Sequence, residues 1–344
     1  MSAPDTGEAA RRAGKALRIV FFGTPEIAVP TLERLLTGPH DVVGVVSQPD
    51  RRRGRGKKLS PSPVAAVALR EALPLFRPER VGDQIVVESL AALTPDLGVV
   101  VAFGQFLPKK IRELPSHGYL INAHASLLPK YRGASPITQA ILDGESETGI
   151  SVMRIEREMD AGPVALVERT RIRALENTAE LSARLAEIAA NAIAKTVDAI
   201  AQGEVVWTQQ DAKRATIAPK LEKADSLLDL RQSARSLARR IHALSPRPGG
   251  SVCLAAGGQQ QILKLSRAEV QCFEEGEVAS PGTIERDSGG HPLRIATGEG
   301  WLVPLVIQQP GARALPVSDF LRGYPLADGA RFAAEPAATE MESR

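Results

Sequence analysis

Cysteine is nearly missing from this chain. Of its 344 residues only Cys253 and Cys272 are cysteines, a pair that builds neither a disulfide framework nor a CxxC redox motif nor a zinc site. A reducing, cytoplasmic setting is the expectation. Long apolar runs are missing too, since no stretch approaches the roughly 18 uncharged apolar residues that a membrane span needs. Residues 1–16 carry Asp5, Glu8, Arg11, Arg12 and Lys15 without the apolar segment of a secretory signal, and read as a disordered extension. Charge of one sign is not in excess: 43 Lys and Arg face 40 Asp and Glu, a net +3. A polyanionic partner would therefore have to be met by local clusters. Three motifs are also absent. The turn Gly23-Thr-Pro-Glu26 is not G-x-G-x-x-G and sets a glutamate where a pyrophosphate would lie. Gly54-Arg-Gly-Lys-Lys58 falls short of a P-loop, and no G-x-S-x-G elbow occurs. Dinucleotide redox chemistry and nucleotide hydrolysis are disfavoured, and the attacking nucleophile is expected to arrive with a substrate.

What is present has the composition of a soluble globular protein, 43% apolar and 24% charged, with length for two domains at about 150 residues each. Leu17–Phe22 is an apolar run closed by Gly23, and Thr24-Pro25 reads as an N-cap with proline at N1. Asp41–Val46 and Leu97–Phe103 are further β-rich runs without alternation, as for strands buried on both faces. Residues 62–72 and 83–93 read as helices between them. This alternation predicts an α/β fold, a Rossmann-like doubly wound and mostly parallel sheet, with ligands at the strand C-terminal ends. A long helix, Thr178 to about Gln202, closes a first domain over 17–207. Residues 208–224 read as a linker. From 225 to 327 the pattern becomes one short helix, about 234–243, and then short β runs near 251–255, 261–265, 282–286, 292–296 and 301–308, the pattern of a small β barrel or sandwich. A flexible tail is expected over 328–344.

The most informative segment is Ile121–Pro136, a strand running through a loop into a helix. Asn122 and His124 are two apart, so on a strand they share a face. An amide donor beside an imidazole suits acyl transfer, the amide steadying a developing oxyanion and the imidazole donating to it or moving a proton. A lone histidine is more often structural; its place at a strand end beside Asn122 shifts that balance. Asp160, in Met159-Asp-Ala-Gly162, could hold an imidazole in one tautomer, though a loop aspartate alone usually forms an Asx turn. The run Gln48–Lys58 holds Arg51, Arg52, Arg53, Arg55, Lys57 and Lys58 among glycines: a mobile cationic loop able to reach phosphates, or a solvated charge run. Arg231, Arg235 and Arg239 recur every four residues opposite Leu237, Ile241 and Leu244, as on an ordinary amphipathic helix.

Phe22-Gly-Thr-Pro-Glu26, Gln48-Pro-Asp-Arg51 with Gly54–Lys58, Asn122-x-His124, Ser126-Leu-Leu-Pro129, Tyr131–Pro136 and Met159–Gly162 together resemble the methionyl-tRNA formyltransferases, over residues of about 17–325. The Asn-x-His, Ser-Leu-Leu-Pro and Asp elements are common to folate-dependent formyltransferases at large, so the acceptor is suggested by the basic loop and the C-terminal β domain. The resemblance implies Asn122, His124 and Asp160 as the catalytic trio, with Ser126, Leu127, Leu128 and Pro129 as a folate-binding stretch. It implies Phe103, Gly104 and Leu107 as walls of the pteridine pocket, and Arg51, Arg52, Arg53, Arg55, Lys57 and Lys58 as tRNA contacts, joined by Arg235 and Arg239 on an OB-like barrel. The implied donor is 10-formyltetrahydrofolate, the implied acceptor initiator methionyl-tRNA, and no metal, membrane or partner subunit is called for. Pro163, where an acidic residue is frequent, and Arg247, where an aromatic often sits, depart from the common pattern. Formyl transfer to an amino sugar or a glycinamide nucleotide, and a non-catalytic RNA-binding relative, remain open readings.

Overall fold

Short runs of Val, Ile and Phe become buried strands. The computed structural model describes residues 15–53, 58–256, 259–324, 326 and 329–333. Within residues 15–218 the strands are β1 (Arg18–Gly23), β2 (Asp41–Val46), β3 (Arg51–Arg53), β4 (Lys58–Ser60), β5 (Leu75–Phe76), β6 (Leu97–Val101), β7 (Leu120–His124), β8 (Arg132–Gly133), β9 (Glu147–Arg154), β10 (Val164–Arg171) and β11 (Ile217–Ala218). The helices are α1 (Val29–Leu36), α2 (Pro63–Arg70), α3 (Gln84–Ala92), α4 (Lys109–Arg112), α5 (Pro136–Asp143) and α6 (Thr178–Gln202).

Seven strands form one sheet in the order β10-β9-β7-β6-β1-β2-β5. From β5 to β7 every pair is parallel, while β9 runs antiparallel to β7 and β10 to β9. The chain moves outward from β1 to β5 and returns on the other side through β6 and β7, so the order reverses between β1 and β6, the place where such sheets bind ligands. Every residue of β6 is buried, as the unbroken apolar run requires. In α6, Leu185, Ala189, Ile193, Val197 and Ile200 are buried at intervals of three and four residues, one helical stripe against the sheet. No helix among the described residues is long and apolar enough to cross a membrane.

Thr24 does not cap a helix. Its hydroxyl donates to the Phe103 carbonyl (2.8 Å), tying β1 to β6 across the order reversal. The chain after Pro25 makes a 3-10 turn, Glu26–Ala28, before α1 begins.

The expected linker is also different. The chain divides into two compact units: residues up to Pro136 with Glu147–Arg171 and Ser182–Ala218, and Ile137–Ser146 with Ile172–Leu181 and the residues from Pro219 onward. Residues 208–218 thus belong to the first unit. Thr208 pairs with Val164, and β11 lies parallel to β8.

In the second unit, α7 (Ala234–Leu244) precedes β12 (Gly250–Ala256), β13 (Gln259–Gln271), β14 (Ile284–Ser288), β15 (His291–Ala296), β16 (Trp301–Gln308), β17 (Ala314–Pro316), α8 (Val317–Gly323) and β18 (Arg331–Phe332). The antiparallel order β14-β15-β16-β13-β12-β18 closes on itself, because Thr283 bridges Arg331 and the Phe332 amide donates to the Gly282 carbonyl (2.9 Å). This is the expected barrel. Phe332 is 2% exposed and packs in its core, so ordered structure runs past the expected start of the tail at 328.

His242, on α7, is buried in this unit and its Nε2 accepts from the Ala268 amide (3.3 Å). Burial pushes its pKa below the ordinary histidine value. Below about pH 6.5 the unfolded chain then binds a proton that the folded chain does not, so stability falls as pH drops through that value. Denaturant titrations at pH 7.5 and 5.5 should show this loss, and His242→Gln should flatten it. An equal pH dependence in the variant would remove His242 as its source.

Candidate active site

β7 ends at the site. Its register pairs Asn122 with Val100 and Met153, and His124 with Ser151. Asn122 and His124 therefore stand one same-face step apart, about 6.6 Å along the strand. The Asn122 amide is half-buried and has no hydrogen-bond partner among the described residues.

His124 is 6% exposed and held on both edges. Its Nε2 lies 2.8 Å from the Tyr131 carbonyl. A carbonyl only accepts, so the hydrogen is on Nε2 and the other nitrogen, Nδ1, is presented to the Asp160 carboxylate at 3.6 Å. The carbonyl can be there because the loop after β7 folds back: Tyr131 sits in the left-handed region at φ +62°, and its amide donates to the Thr216 hydroxyl at 2.9 Å. Asp160 is also left-handed, φ +51°, and its Oδ2 accepts from the Gly133 amide at 2.8 Å. Gly133 has φ +118°, and a Cβ there would lie 2.7 Å from the Ala218 carbonyl oxygen. Only glycine satisfies both conditions.

The expected folate stretch is organised around Ser151. The Ser151 hydroxyl donates to the Ser126 carbonyl (2.7 Å) and accepts from the Leu128 amide (3.1 Å). Ser126 is fully buried and its own hydroxyl donates to the Lys130 carbonyl (2.6 Å), so its side chain holds the loop. Leu127, Leu128 and Pro129 are half-buried. Phe103 and Leu107, read from the sequence as pocket walls, are members of the buried core, with Phe103 edge-on to Phe22. Gly104, exposed at φ +84°, makes the turn above them.

The basic run is a two-stranded ribbon at its base: Arg51 pairs with Ser60, Arg52 with Leu59 and Arg53 with Lys58. Arg51, Arg52 and Lys58 are exposed, whereas Arg55, Lys57 and the side chain of Arg53 lie outside the described residues. In the second unit Arg235 is exposed. Arg239 is half-exposed, its guanidinium over Gly144 and donating to the Asp143 carbonyl (3.4 Å).

Sequence reasoning passed over Tyr131, Gly133 and Ser151 as individual contributors and left Gln210 in the linker. The Gln210 side chain donates to the Asp160 and Gly162 carbonyls and accepts from Arg132. The Tyr131-Arg-Gly133 run was visible as a motif; nothing in the sequence marks Gln210.

Residues 17–197 match the family model described as Formyl transferase, and 220–325 the one described as Formyl transferase, C-terminal domain. The doubly wound sheet followed by a barrel is that of a two-domain formyltransferase. The chain belongs to this family, among its methionyl-tRNA formyltransferases. Methionyl-tRNA formyltransferase of Geotalea daltonii is 40% identical over 322 residues, 94% of this chain and 100% of its own; that of Trichlorobacter lovleyi is 41% identical over 313 residues, 91% of this chain and 96% of its own. Among solved structures, an N-formyltransferase from Helicobacter canadensis in complex with folinic acid and dTDP-3-aminofucose superposes with a TM-score of 0.61 at 14% identity, covering 87% of this chain and 100% of its own. HypX from Aquifex aeolicus in complex with tetrahydrofolic acid gives 0.55 at 18%, covering 89% of this chain and 47% of its own. These two share the fold.

Proposed function

We propose that the chain transfers the formyl group of 10-formyltetrahydrofolate to the α-amino group of methionyl-initiator tRNA, with Asn122, His124 and Asp160 as catalytic residues. The observation that carries this reading is the oriented imidazole: Nε2 engaged by a backbone carbonyl, Nδ1 facing a carboxylate, and an amide without a partner one step back on the same strand.

An α-amine has a pKa of about 7.7–8.0, so a useful fraction is neutral near pH 7 and attacks without a strong base. Its nitrogen bonds to the formyl carbon, the C=O electrons move onto oxygen, and a tetrahedral oxyanion forms. Asn122 donates to that oxygen. When the oxyanion collapses, the bond from carbon to folate N10 breaks, and the proton released by the amine replaces it on N10. His124 carries that proton through Nδ1, and the Asp160 carboxylate steadies the imidazolium while it exists. Half-buried Leu127, Leu128 and Pro129 supply apolar surface to the donor beside the imidazole. The β3–β4 ribbon and Arg235 and Arg239 on α7 meet tRNA phosphates in this reading. The chain is taken as a cytoplasmic monomer.

The direct test is mass detection of a formyl group on charged initiator tRNA after incubation with the protein and the formyl donor. Formylation of an amino sugar nucleotide or a glycinamide nucleotide, with none on tRNA, would overturn the acceptor assignment and keep the chemistry.

The ribbon makes a separate prediction. Replacing Arg51, Arg52 and Lys58 together by Gln is expected to raise the KM for tRNA, and to lower the slope of log affinity against log salt by about 0.9 for each phosphate that is no longer neutralised. Unchanged tRNA kinetics across a salt series would reduce the ribbon to a solvated charge run.

A further inference from the structure

We propose that Gln210 is a positioning residue for the reaction, pinning the left-handed turn that presents the Asp160 carboxylate to His124. The inference rests on the roles given above to Asp160 and His124, and deepens them.

A primary amide has two donor hydrogens and an oxygen that accepts twice. Gln210 uses all four. Its Nε2 donates to the carbonyl of Asp160 (2.8 Å) and to that of Gly162 (2.7 Å), gripping the turn on both sides of Ala161. Its Oε1 accepts from Nε (3.1 Å) and Nη2 (2.9 Å) of Arg132. Arg132 is buried, and its remaining arm lies 3.4 Å from the exposed carboxylate of Glu158.

The two things joined in this way are the two halves of the site. Arg132 stands between Tyr131, whose carbonyl fixes His124 Nε2, and Gly133, whose amide binds the Asp160 carboxylate. The Asp160 turn is the other half. Beside the Asp160–Gly133 contact and the outer Arg132–Glu158 pair, the Gln210 amide joins them. A non-glycine residue at φ +51° needs surroundings that over-determine it, and two carbonyls held by one amide provide that. Gln210 is itself held at both ends of its segment. Thr208 and Val164 exchange both backbone hydrogen bonds (2.8 and 2.9 Å), and the Thr216 amide donates to the Pro129 carbonyl (3.3 Å). The 208–218 segment of the first unit therefore braces the Asp160 turn from outside the Tyr131–Gly133 loop.

Gln210→Glu and Gln210→Met separate this role from a merely structural one. The glutamate keeps the shape and strengthens the contact to Arg132, but offers no hydrogen to the carbonyls of Asp160 and Gly162; the methionine keeps the shape alone. Both are expected to lower kcat for formyl transfer at least tenfold, with KM for tRNA and for the folate within about threefold. In an Asp160→Ala background, single-turnover rates should fall no more than about twofold further on adding Gln210→Met, because the turn then presents nothing to His124. A Gln210→Glu enzyme with wild-type kcat, or a full multiplicative loss in the Asp160→Ala background, overturns the proposal. Asp160→Asn tells the two levels apart: full activity in that variant overturns the role of Asp160 itself, whereas an inactive Asp160→Asn beside a fully active Gln210→Glu overturns only the positioning by Gln210.

Discussion

His124→Ala is expected to turn over about a thousandfold more slowly than the wild type, with KM for charged tRNA changed no more than a few-fold. An imidazole can act as both proton donor and proton acceptor, and a positioned acid–base residue typically contributes about 10²–10⁴ in rate. In the proposed mechanism the active atom is Nδ1, because Nε2 is committed to the Tyr131 carbonyl at 2.8 Å. His124→Gln is therefore no rescue: an amide can donate but cannot shuttle the proton. Asn122→Ala should lose about 10²–10³, the usual cost of one oxyanion donor, or about 2.7–4 kcal/mol of transition-state stabilisation. The two losses belong to one unit, so the double variant should fall short of their product. Single-turnover formylation with saturating tRNA measures each. If His124→Ala lost tRNA binding while keeping its fold, the imidazole would be a recognition element and the catalytic assignment would fail.

Gly162→Ala is expected to be nearly as damaging, by a different route. A Cβ at this position would lie 2.0 Å from the Arg154 carbonyl oxygen and 3.0 Å from its carbon. Both are backbone atoms at the end of β9, which cannot rotate away as a side chain can. Overpacking of this kind costs about 1–3 kcal/mol of stability. The backbone must move, and the residue that moves with it is Asp160, two positions earlier and 3.6 Å from His124 Nδ1. The variant should show a lowered thermal midpoint and, at a temperature where it is fully folded, a kcat reduced about a hundredfold. Gly323→Ala is the control, since a Cβ there meets nothing within 4 Å. Wild-type kcat in folded Gly162→Ala would show that the turn tolerates displacement and would weaken the case for a rigid Asp160.

Much of the fold was readable because its signals are local. Parallel strands buried on both faces leave unbroken Val, Ile and Phe runs, and Leu97–Val101 and Asp41–Val46 appear where those runs lie. Pairs two residues apart on a strand share a face, which made Asn122 and His124 conspicuous. The site's support was not readable, because it is built from main-chain atoms brought together across long separations. Gln210 reaches carbonyls 50 and 48 residues away, and any residue type offers a carbonyl. Thr24-Pro25 had the chemistry of a cap, but a tertiary acceptor, the Phe103 carbonyl 79 residues on, took the hydroxyl. There a local preference lost to a partner that only the folded chain supplies.

The pairing of β11 with β8 bears on how small an active fragment could be. The formyl transferase match stops at residue 197, and a chain trimmed there keeps Asn122, His124 and Asp160. It sheds Gln210, the Thr216 hydroxyl that receives the Tyr131 amide, and the Ala218 carbonyl that receives the amide of Ala134. Such a fragment keeps the three proposed catalytic side chains and loses contacts that hold their loops, so it is expected to position them less well than one extending through residue 218.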